Sequence, residues 1–126
     1  MATDTKNFKV NEFACKHCGE NNIDQRIINM AQTIREAMGV PVNVNSGYRC
    51  KTHNARVGGV NNSYHTQGLA ADLSCSKGGQ ALYLMIQKLW SEGKLPDLAW
   101  CKYYMKKNFC HIDCGKKRSQ RFCVGD

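Results

Sequence analysis

Two histidines and one aspartate have the residue types and the spacing of a metal site. His65 lies seven residues before Asp72, and His111 follows far downstream in the segment Phe109–Asp113. Zinc accepts imidazole nitrogen and carboxylate oxygen, and a hydrolytic zinc site needs three protein ligands and an open position for water. These side chains are therefore candidate ligands of a catalytic zinc, although a His-x6-Asp pair alone is common by chance.

Further motifs accompany these residues in a fixed order. They are Ser46-Gly47-Tyr48-Arg49, His53-Asn54, Val57-Gly58-Gly59, the segment Ser63–Asp72 and the late Phe109–Asp113. In order, spacing and residue type, the set closely resembles the M15 metallopeptidases, the group of D-alanyl-D-alanine carboxypeptidases and murein endopeptidases. The resemblance covers about Phe8 to Gly115 and is closest to the short single-domain members found in phage lysis proteins and bacterial wall hydrolases.

The resemblance implies both a function and a set of site residues. His65, Asp72 and His111 would bind Zn²⁺, and Arg49 would face the substrate. The implied activity is zinc-dependent hydrolysis of peptidoglycan stem or crosslink peptides, at a bond with a D-residue on at least one side. The competing hypothesis is a catalytically inactive, zinc-containing module that binds the cell wall or belongs to a phage structure.

The general base is less well defined than the ligands. A zinc hydrolase needs a carboxylate to accept a proton from the attacking water, and some M15 relatives place one three residues before the last ligand, where this chain has Asn108. Alternate side chains of a strand share a face, so Asp113 should lie beside His111. Asp113 is the first candidate for the base, with Glu92 and Asp97 as distant alternatives. A role for Asp113 in orienting a histidine ligand is the other interpretation.

Arg49 has a chemical rationale of its own. Peptide hydrolysis builds negative charge on the carbonyl oxygen, and a fixed guanidinium beside the metal can stabilise that charge or hold a terminal carboxylate. A lone arginine in a turn is usually an ordinary surface residue. The surrounding Ser46–Arg49 motif favours the functional interpretation.

Charge and composition restrict the partners. The formal net charge is +8 in 126 residues, which favours polyanions such as an anionic cell wall. Nucleic acid is not expected as a partner, because the Lys and Arg residues are scattered and only Lys116-Lys117-Arg118 forms a run. No stretch approaches the ~20 apolar residues of a membrane span, and the start lacks the apolar region of a secretory signal. We expect a monomer of one domain, residues 1–126, that is made in the cytoplasm or encoded by a phage and acts at the wall.

The eight cysteines leave three interpretations open. Cys15 and Cys18 have the C-x2-C spacing of a zinc knuckle, but a structural zinc would need two more thiolates or imidazoles nearby. Disulfides and free buried thiols are the alternatives, and sequence alone does not choose between them.

The pattern of apolar residues predicts an α+β fold, with a small antiparallel sheet carrying the zinc ligands and two main helices beside it. Residues 1–22 form an N-terminal arm whose Phe8, Val10 and Phe13 pack on the core. The helices are predicted over Asp24–Met38, capped by Asp24 and ended by Gly39, and from Ser76 or Lys77 to about Ser91. Strands are predicted over Val40–Asn45, Leu69–Leu73, Leu98–Tyr104 and Phe109–Cys114, the last two forming a hairpin through residues 105–108.

Overall fold

The structure, a computed structural model, describes residues 2–60 and 62–126. The helices are α1 (Gln25–Met38), α2 (Lys51–Arg56) and α3 (Gly79–Ser91), and the strands are β1 (Val42–Ser46), β2 (Ala70–Cys75), β3 (Trp100–Tyr104), β4 (Phe109–Asp113) and β5 (Phe122–Gly125). There are also two 3-10 turns: Val10–Phe13 precedes α1, and Tyr64–Gln67 lies between α2 and β2. The α+β class is confirmed, and α2 and β5 are elements that the sequence patterns did not predict.

Helix α1 has the predicted ends for the predicted reasons. The side chain of Asp24 accepts a hydrogen bond from the backbone N–H of Arg26, which satisfies one of the free donors of the first turn. Gly39 then adopts a left-handed conformation, with φ of 70°, that ends the helix. The buried face of α1 is Ile27, Ile28, Met30, Ala31, Ile34 and Met38.

The sheet is mixed, which corrects the prediction of an antiparallel sheet. Its strand order is β1-β2-β4-β3-β5, and all neighbours pair antiparallel except β3 and β5, which run parallel with Cys101 opposite Phe122. After β4 the chain crosses to the far edge of β3 before β5 begins. That return was not visible in the sequence, because β5 is four residues long and follows a polar, basic segment.

The two faces of the sheet have different chemistry. One face packs on α1 and α3 through fully buried side chains that include Ala71, Leu73, Cys101, Cys110 and Ile112. Burial of a Leu or Ile side chain stabilises the fold by about 1.5–3 kcal/mol, so this face fixes the strands. The alternate residues of β2 and β4 point to the opposite face, which therefore carries the polar candidates Asp72, His111 and Asp113.

The N-terminal arm packs on the core as predicted. Phe8 and Phe13 are buried, their rings 5.8 Å apart, and Val10 is partly buried against the same cluster. The backbone O of Phe13 accepts a hydrogen bond of 2.8 Å from the N–H of Tyr48, which ties the arm to the end of β1. Within the described residues, no helix has the length and apolar character to cross a membrane. That the chain is one domain and a monomer stays a prediction.

Candidate metal centre

The position of His65 is fixed by the 3-10 turn to which it belongs. Ser63 precedes the 3-10 turn Tyr64–Gln67, and its hydroxyl oxygen accepts a hydrogen bond of 3.2 Å from the His65 N–H. Gly68 ends the turn with φ of 74° and packs so closely on the backbone of Asn22 that any Cβ would overlap it. The Gly of the His65-x2-Gly68 motif is therefore required by both conformation and space.

The ring of His65 has a defined orientation. Its Nδ1 lies 2.8 Å from the backbone O of Gly47, and since a carbonyl only accepts, Nδ1 carries the proton and donates it. When the ring binds a metal as a neutral ligand, its lone pair sits on Nε2, which lies 3.3 Å from Oδ1 of Asp72. Two acceptor atoms facing each other at this distance, with the ring only 4% exposed, make a good place for a cation.

Asp72 and His111 meet because of strand register. Strands β2 and β4 pair antiparallel with Asp72 directly opposite His111, so the two side chains leave the same face side by side. Nδ1 of His111 lies 3.1 Å from Oδ1 of Asp72. One ligand atom from each of His65, Asp72 and His111 falls within 4.8 Å of the others. The structure thus brings the three predicted ligands together.

Asp113 lies beside His111, as strand alternation predicted. Its Oδ2 accepts a hydrogen bond of 2.8 Å from Nε2 of His111, while its Oδ1 is buried and has no partner among the described groups. Asp113 is only 1% exposed. Buried polar atoms are nearly always hydrogen-bonded, so this oxygen can accept one further hydrogen bond.

Asn108 does not line the cleft onto which the ligands open. It lies in the turn between β3 and β4 with φ of 59°, and its Oδ1 accepts a hydrogen bond of 2.7 Å from the N–H of Gly79, the first residue of α3. The Asn108 side chain is therefore engaged by the backbone at the start of α3. Glu92 and Asp97 do not line the cleft either; of the described carboxylates, those that do are Asp72 and Asp113.

Arg49 is fixed against the ligand cluster. Its Nε donates to the hydroxyl of Ser46 at 2.9 Å, its Nη1 to Oδ1 of Asn54 at 3.3 Å and its Nη2 to Oδ2 of Asp72 at 3.2 Å. The pair with Asp72 is largely buried, with side-chain exposures of 15% and 8%. A guanidinium has five N–H donors, so two remain for a ligand in the cleft.

An irregularity in β1 makes this contact possible. Val44 pairs with Leu73, but the next pair along is Ser46 with Asp72, so the register shifts between them. In a regular strand Ser46 would share the core face with Val42 and Val44; the shift turns it to the polar face instead. Ser46 can then accept from Arg49. Nothing in the alternation of Val42–Ser46 could have predicted this.

Without a metal ion, Asp72 and His111 favour each other's charged forms. Burial alone would raise the pKa of Asp72, but the hydrogen bonds from His111 and His65 hold it well below its usual range. Burial likewise disfavours the charged form of His111, but its hydrogen bonds to Asp113 and Asp72 raise its pKa to about 9. A metal bound through Nδ1 of His111 must therefore displace a proton at neutral pH.

The cluster opens onto a cleft of about 610 Å³. Its walls include residues to which the sequence analysis gave no role in the site, among them Trp100, Tyr104, Lys107, Phe109 and Arg118. Trp100 packs edge-on against His111 with ring centres 5.5 Å apart, and the guanidinium of Arg118 lies 3.9 Å above the Trp100 ring. Arg49, Lys107 and Arg118 give the cleft a positive character suited to carboxylate-bearing ligands.

The donor set fits zinc. It consists of two imidazole nitrogens and one carboxylate oxygen, and each histidine has its other nitrogen engaged, by Gly47 O in one case and Asp113 in the other. Such second hydrogen bonds fix the ring orientation and raise the basicity of the ligating atom. Three protein ligands facing an open cleft are typical of a catalytic zinc site.

Comparison with known proteins agrees with this geometry. The family model of peptidase M15 matches residues 6–113, and the chain belongs to that family. A stretch of 49 residues is 49% identical to the zinc D-Ala-D-Ala carboxypeptidase of Streptomyces albus G. The match covers 38% of this chain and 19% of that relative, so the chain spans a small part of the curated relative's length.

Proposed function

We propose that this chain is a zinc metallopeptidase that hydrolyses peptidoglycan stem or crosslink peptides at bonds flanked by a D-residue. The observation that carries the proposal is the convergence of His65, Asp72 and His111 within 4.8 Å at the base of an open cleft. Membership of the M15 family and the local identity to a zinc D-Ala-D-Ala carboxypeptidase support the same metal and the same class of substrate.

The proposed ligand atoms are Nε2 of His65, Oδ1 of Asp72 and Nδ1 of His111. When bound there, zinc supplies a Lewis acid for the scissile carbonyl and allows water to act as a nucleophile at neutral pH. The protein's part is to hold the ligands. Gly47 O and Asp113 set the rings, and Arg49 holds Oδ2 of Asp72 so that Oδ1 stays directed at the metal position.

Arg49 also has a proposed role toward substrate. Its two remaining N–H donors lie where the guanidinium lines the cleft, and a fixed cation there can bind the developing oxyanion or a substrate carboxylate. Lys107 and Arg118, on the walls of the same cleft, favour a substrate that carries carboxylates, as peptidoglycan stem peptides do.

Asp113 is proposed first as the residue that orients His111, because its Oδ2 is committed to Nε2 of that ring. Its Oδ1 makes no hydrogen bond to a described group, and Asp113 remains our first candidate for the base. One carboxylate can serve both purposes because the two oxygens have different surroundings.

One observation favours the alternative of an inactive module. The position three residues before His111 carries an amide, Asn108, and that side chain is committed to the start of α3. A chain that bound zinc but lacked an effective base would bind wall peptides without cutting them. The net charge of +8 suits attraction to an anionic wall under either hypothesis.

Murein zymography of the purified protein, with and without chelator, distinguishes the two. The expected result is clearing of the murein, which chelator abolishes and added zinc restores. Binding to murein without clearing, at full zinc occupancy, would establish the inactive module instead. Mass spectrometry of the muropeptides then identifies the bond: loss of one terminal D-Ala indicates a carboxypeptidase, and separation of crosslinked dimers indicates an endopeptidase.

A further inference from the structure

A second group of potential ligands lies outside the candidate active site. The sulfur atoms of Cys15, Cys18 and Cys50 fall within 4.8 Å of one another. Cys15 and Cys18 belong to the N-terminal arm, whereas Cys50 is 35 residues beyond Cys15 and directly precedes α2. The fold therefore brings a third thiol, from a distant part of the chain, beside the C-x2-C pair.

The turn that carries Cys15 and Cys18 is closed by its own backbone. The N–H of Cys15 donates to the O of Glu20 at 2.8 Å, and the N–H of Gly19 donates to the O of Cys15 at 2.9 Å. Gly19 has φ of 78°, a conformation that a side chain would strain. A tight C-x2-C turn followed by glycine holds two sulfurs on one side, as a zinc knuckle requires.

Backbone N–H groups support the sulfurs as thiolates. The N–H of Cys50 donates to Sγ of Cys15 at 3.4 Å, and the N–H of His53 donates to Sγ of Cys50 at 3.3 Å at the start of α2. Hydrogen bonds from amide donors stabilise negative charge on sulfur, and the thiolate is the form that binds metal.

The imidazole of His17 is the candidate fourth donor. Nδ1 of His17 lies 3.6 Å from Sγ of Cys50, and the ring of His53 stacks on that of His17 with centres 6.0 Å apart. Nε2 of His17 lies 3.2 Å from the guanidinium of Arg56, which only donates. Metal binding through Nδ1 needs that contact to open, and Arg56 is exposed and free to turn into solvent.

We propose that Cys15, Cys18, Cys50 and His17 form a second, structural zinc site that joins the N-terminal arm to the segment before α2. Three thiolates and one imidazole are an established donor set for closed zinc sites without catalytic water. On binding, the three thiols release their protons to solvent and no oxidant is needed. A disulfide between any two of these cysteines would leave the third sulfur beside it unpaired.

The site would act on the candidate metal centre through the chain. Cys50 follows Arg49, whose N–H donates to the O of His65 at 3.0 Å, and Gly47, three residues earlier, supplies the O that fixes the His65 ring. Tyr48 in the same segment is bound to the arm at Phe13. A metal that clamps Cys50 to the arm would therefore hold the whole segment Gly47–Cys50 in place.

The test counts metal in the full chain, purified with zinc under reducing conditions. Wild type should bind two zinc ions, Cys18→Ser one and His65→Ala one, and the control Cys123→Ser should bind two. Cys18 is exposed, so its substitution leaves the core intact. Cobalt in place of zinc adds a direct readout: wild type and His65→Ala should show thiolate-to-cobalt absorption in the near ultraviolet, and Cys18→Ser should lose most of it.

Thiolate-to-cobalt absorption that is absent from wild type would overturn the proposal. So would mass spectrometry that finds a disulfide among Cys15, Cys18 and Cys50 in the folded, metal-exposed protein. The outcome is independent of the proposed peptidase activity. If the His65 cluster fails to bind metal, wild type should hold one ion and still show the cobalt–thiolate absorption.

Discussion

The two candidate ligand clusters each bring three ligand atoms within 4.8 Å of one another, but they differ in what surrounds them. His65, Asp72 and His111 offer nitrogen and oxygen atoms on the sheet, and they open onto a cleft that Arg49 and Arg118 also line. The second cluster offers the sulfur atoms of Cys15, Cys18 and Cys50, which lie in loops. The imidazole of His17 lies nearby as the candidate fourth donor. An open set of three suits catalysis and a closed set of four suits structure. Donor type and access, more than mutual distance, therefore indicate what each cluster does.

The largest expected effect separates the clusters by activity. His65→Ala removes one of three ligands at the open site, so peptide hydrolysis should fall to the metal-free background. Cys18→Ser should retain the metal at the open site and part of the activity, because it alters only how Gly47–Cys50 is held. Hydrolysis of a soluble muropeptide, with zinc content measured on the same samples, checks both. Equal loss of activity in the two variants would remove the proposed distinction.

Replacement of Arg49 should give the next largest effect. Arg49→Lys keeps the charge but cannot make the three bonds to Ser46, Asn54 and Asp72 at once. Loss of a fixed donor to a developing oxyanion costs roughly 10²–10³-fold in kcat. Steady-state kinetics should show this loss with zinc retained.

Arg26→Lys is the matched control for Arg49→Lys. It changes an exposed pair with Asp24 at the start of α1, where surface ion pairs contribute little, and its kinetics should match wild type. A near-normal kcat for Arg49→Lys would place the arginine outside the chemistry.

Asp113→Asn should have a smaller effect that reveals the role of this carboxylate. If Asp113 orients His111, zinc affinity should drop ~10–100-fold and excess zinc should restore most of the activity. A chelator competition assay and kinetics at two zinc concentrations measure this. Full zinc occupancy with a loss of 10²-fold or more, within the roughly 10²–10⁴-fold range of a general base, would assign the base instead. A variant with normal zinc affinity and normal turnover would contradict both the orienting role and the role as base.

The effect of a single pH unit should be smaller still, about tenfold in zinc affinity. The pKa of His111 is raised to about 9, so zinc must displace a proton, and affinity at the open site should improve about tenfold per pH unit up to that value. The metal-free protein should show the opposite trend. A raised pKa stabilises the folded state fully below the unfolded value of about 6.5, and that contribution is lost as pH rises through about 9. Zinc titrations and thermal unfolding across this pH range test the two trends. A zinc affinity that does not change with pH would contradict the raised pKa of His111.

Local rules predicted much of the fold and site. The Asp24 cap, the Gly39 stop and the placement of Asp113 beside His111 each depend on residues close in sequence, and each is confirmed. The face of β2 that carries Asp72 followed from alternation once β2 was recognised.

Contacts between distant segments were beyond those rules. The parallel pairing of β5, the register shift at Ser46 and the approach of Cys50 to Cys15 all depend on how separate segments meet. The backbone O of Gly47, which fixes the His65 ring, has no side-chain signature at all. Sequence therefore indicated the candidate ligands, and the fold adds which atoms hold those side chains in position.

The most direct test of the central claim is a crystal structure of the zinc-loaded protein with anomalous data at the zinc edge. The account predicts a peak bonded to Nε2 of His65, Oδ1 of Asp72 and Nδ1 of His111, at about 2.0–2.2 Å from each, with a coordination position open to the cleft. No peak at that point in a crystal of protein that hydrolyses muropeptides, or a zinc there with four protein ligands and no open position, would contradict it.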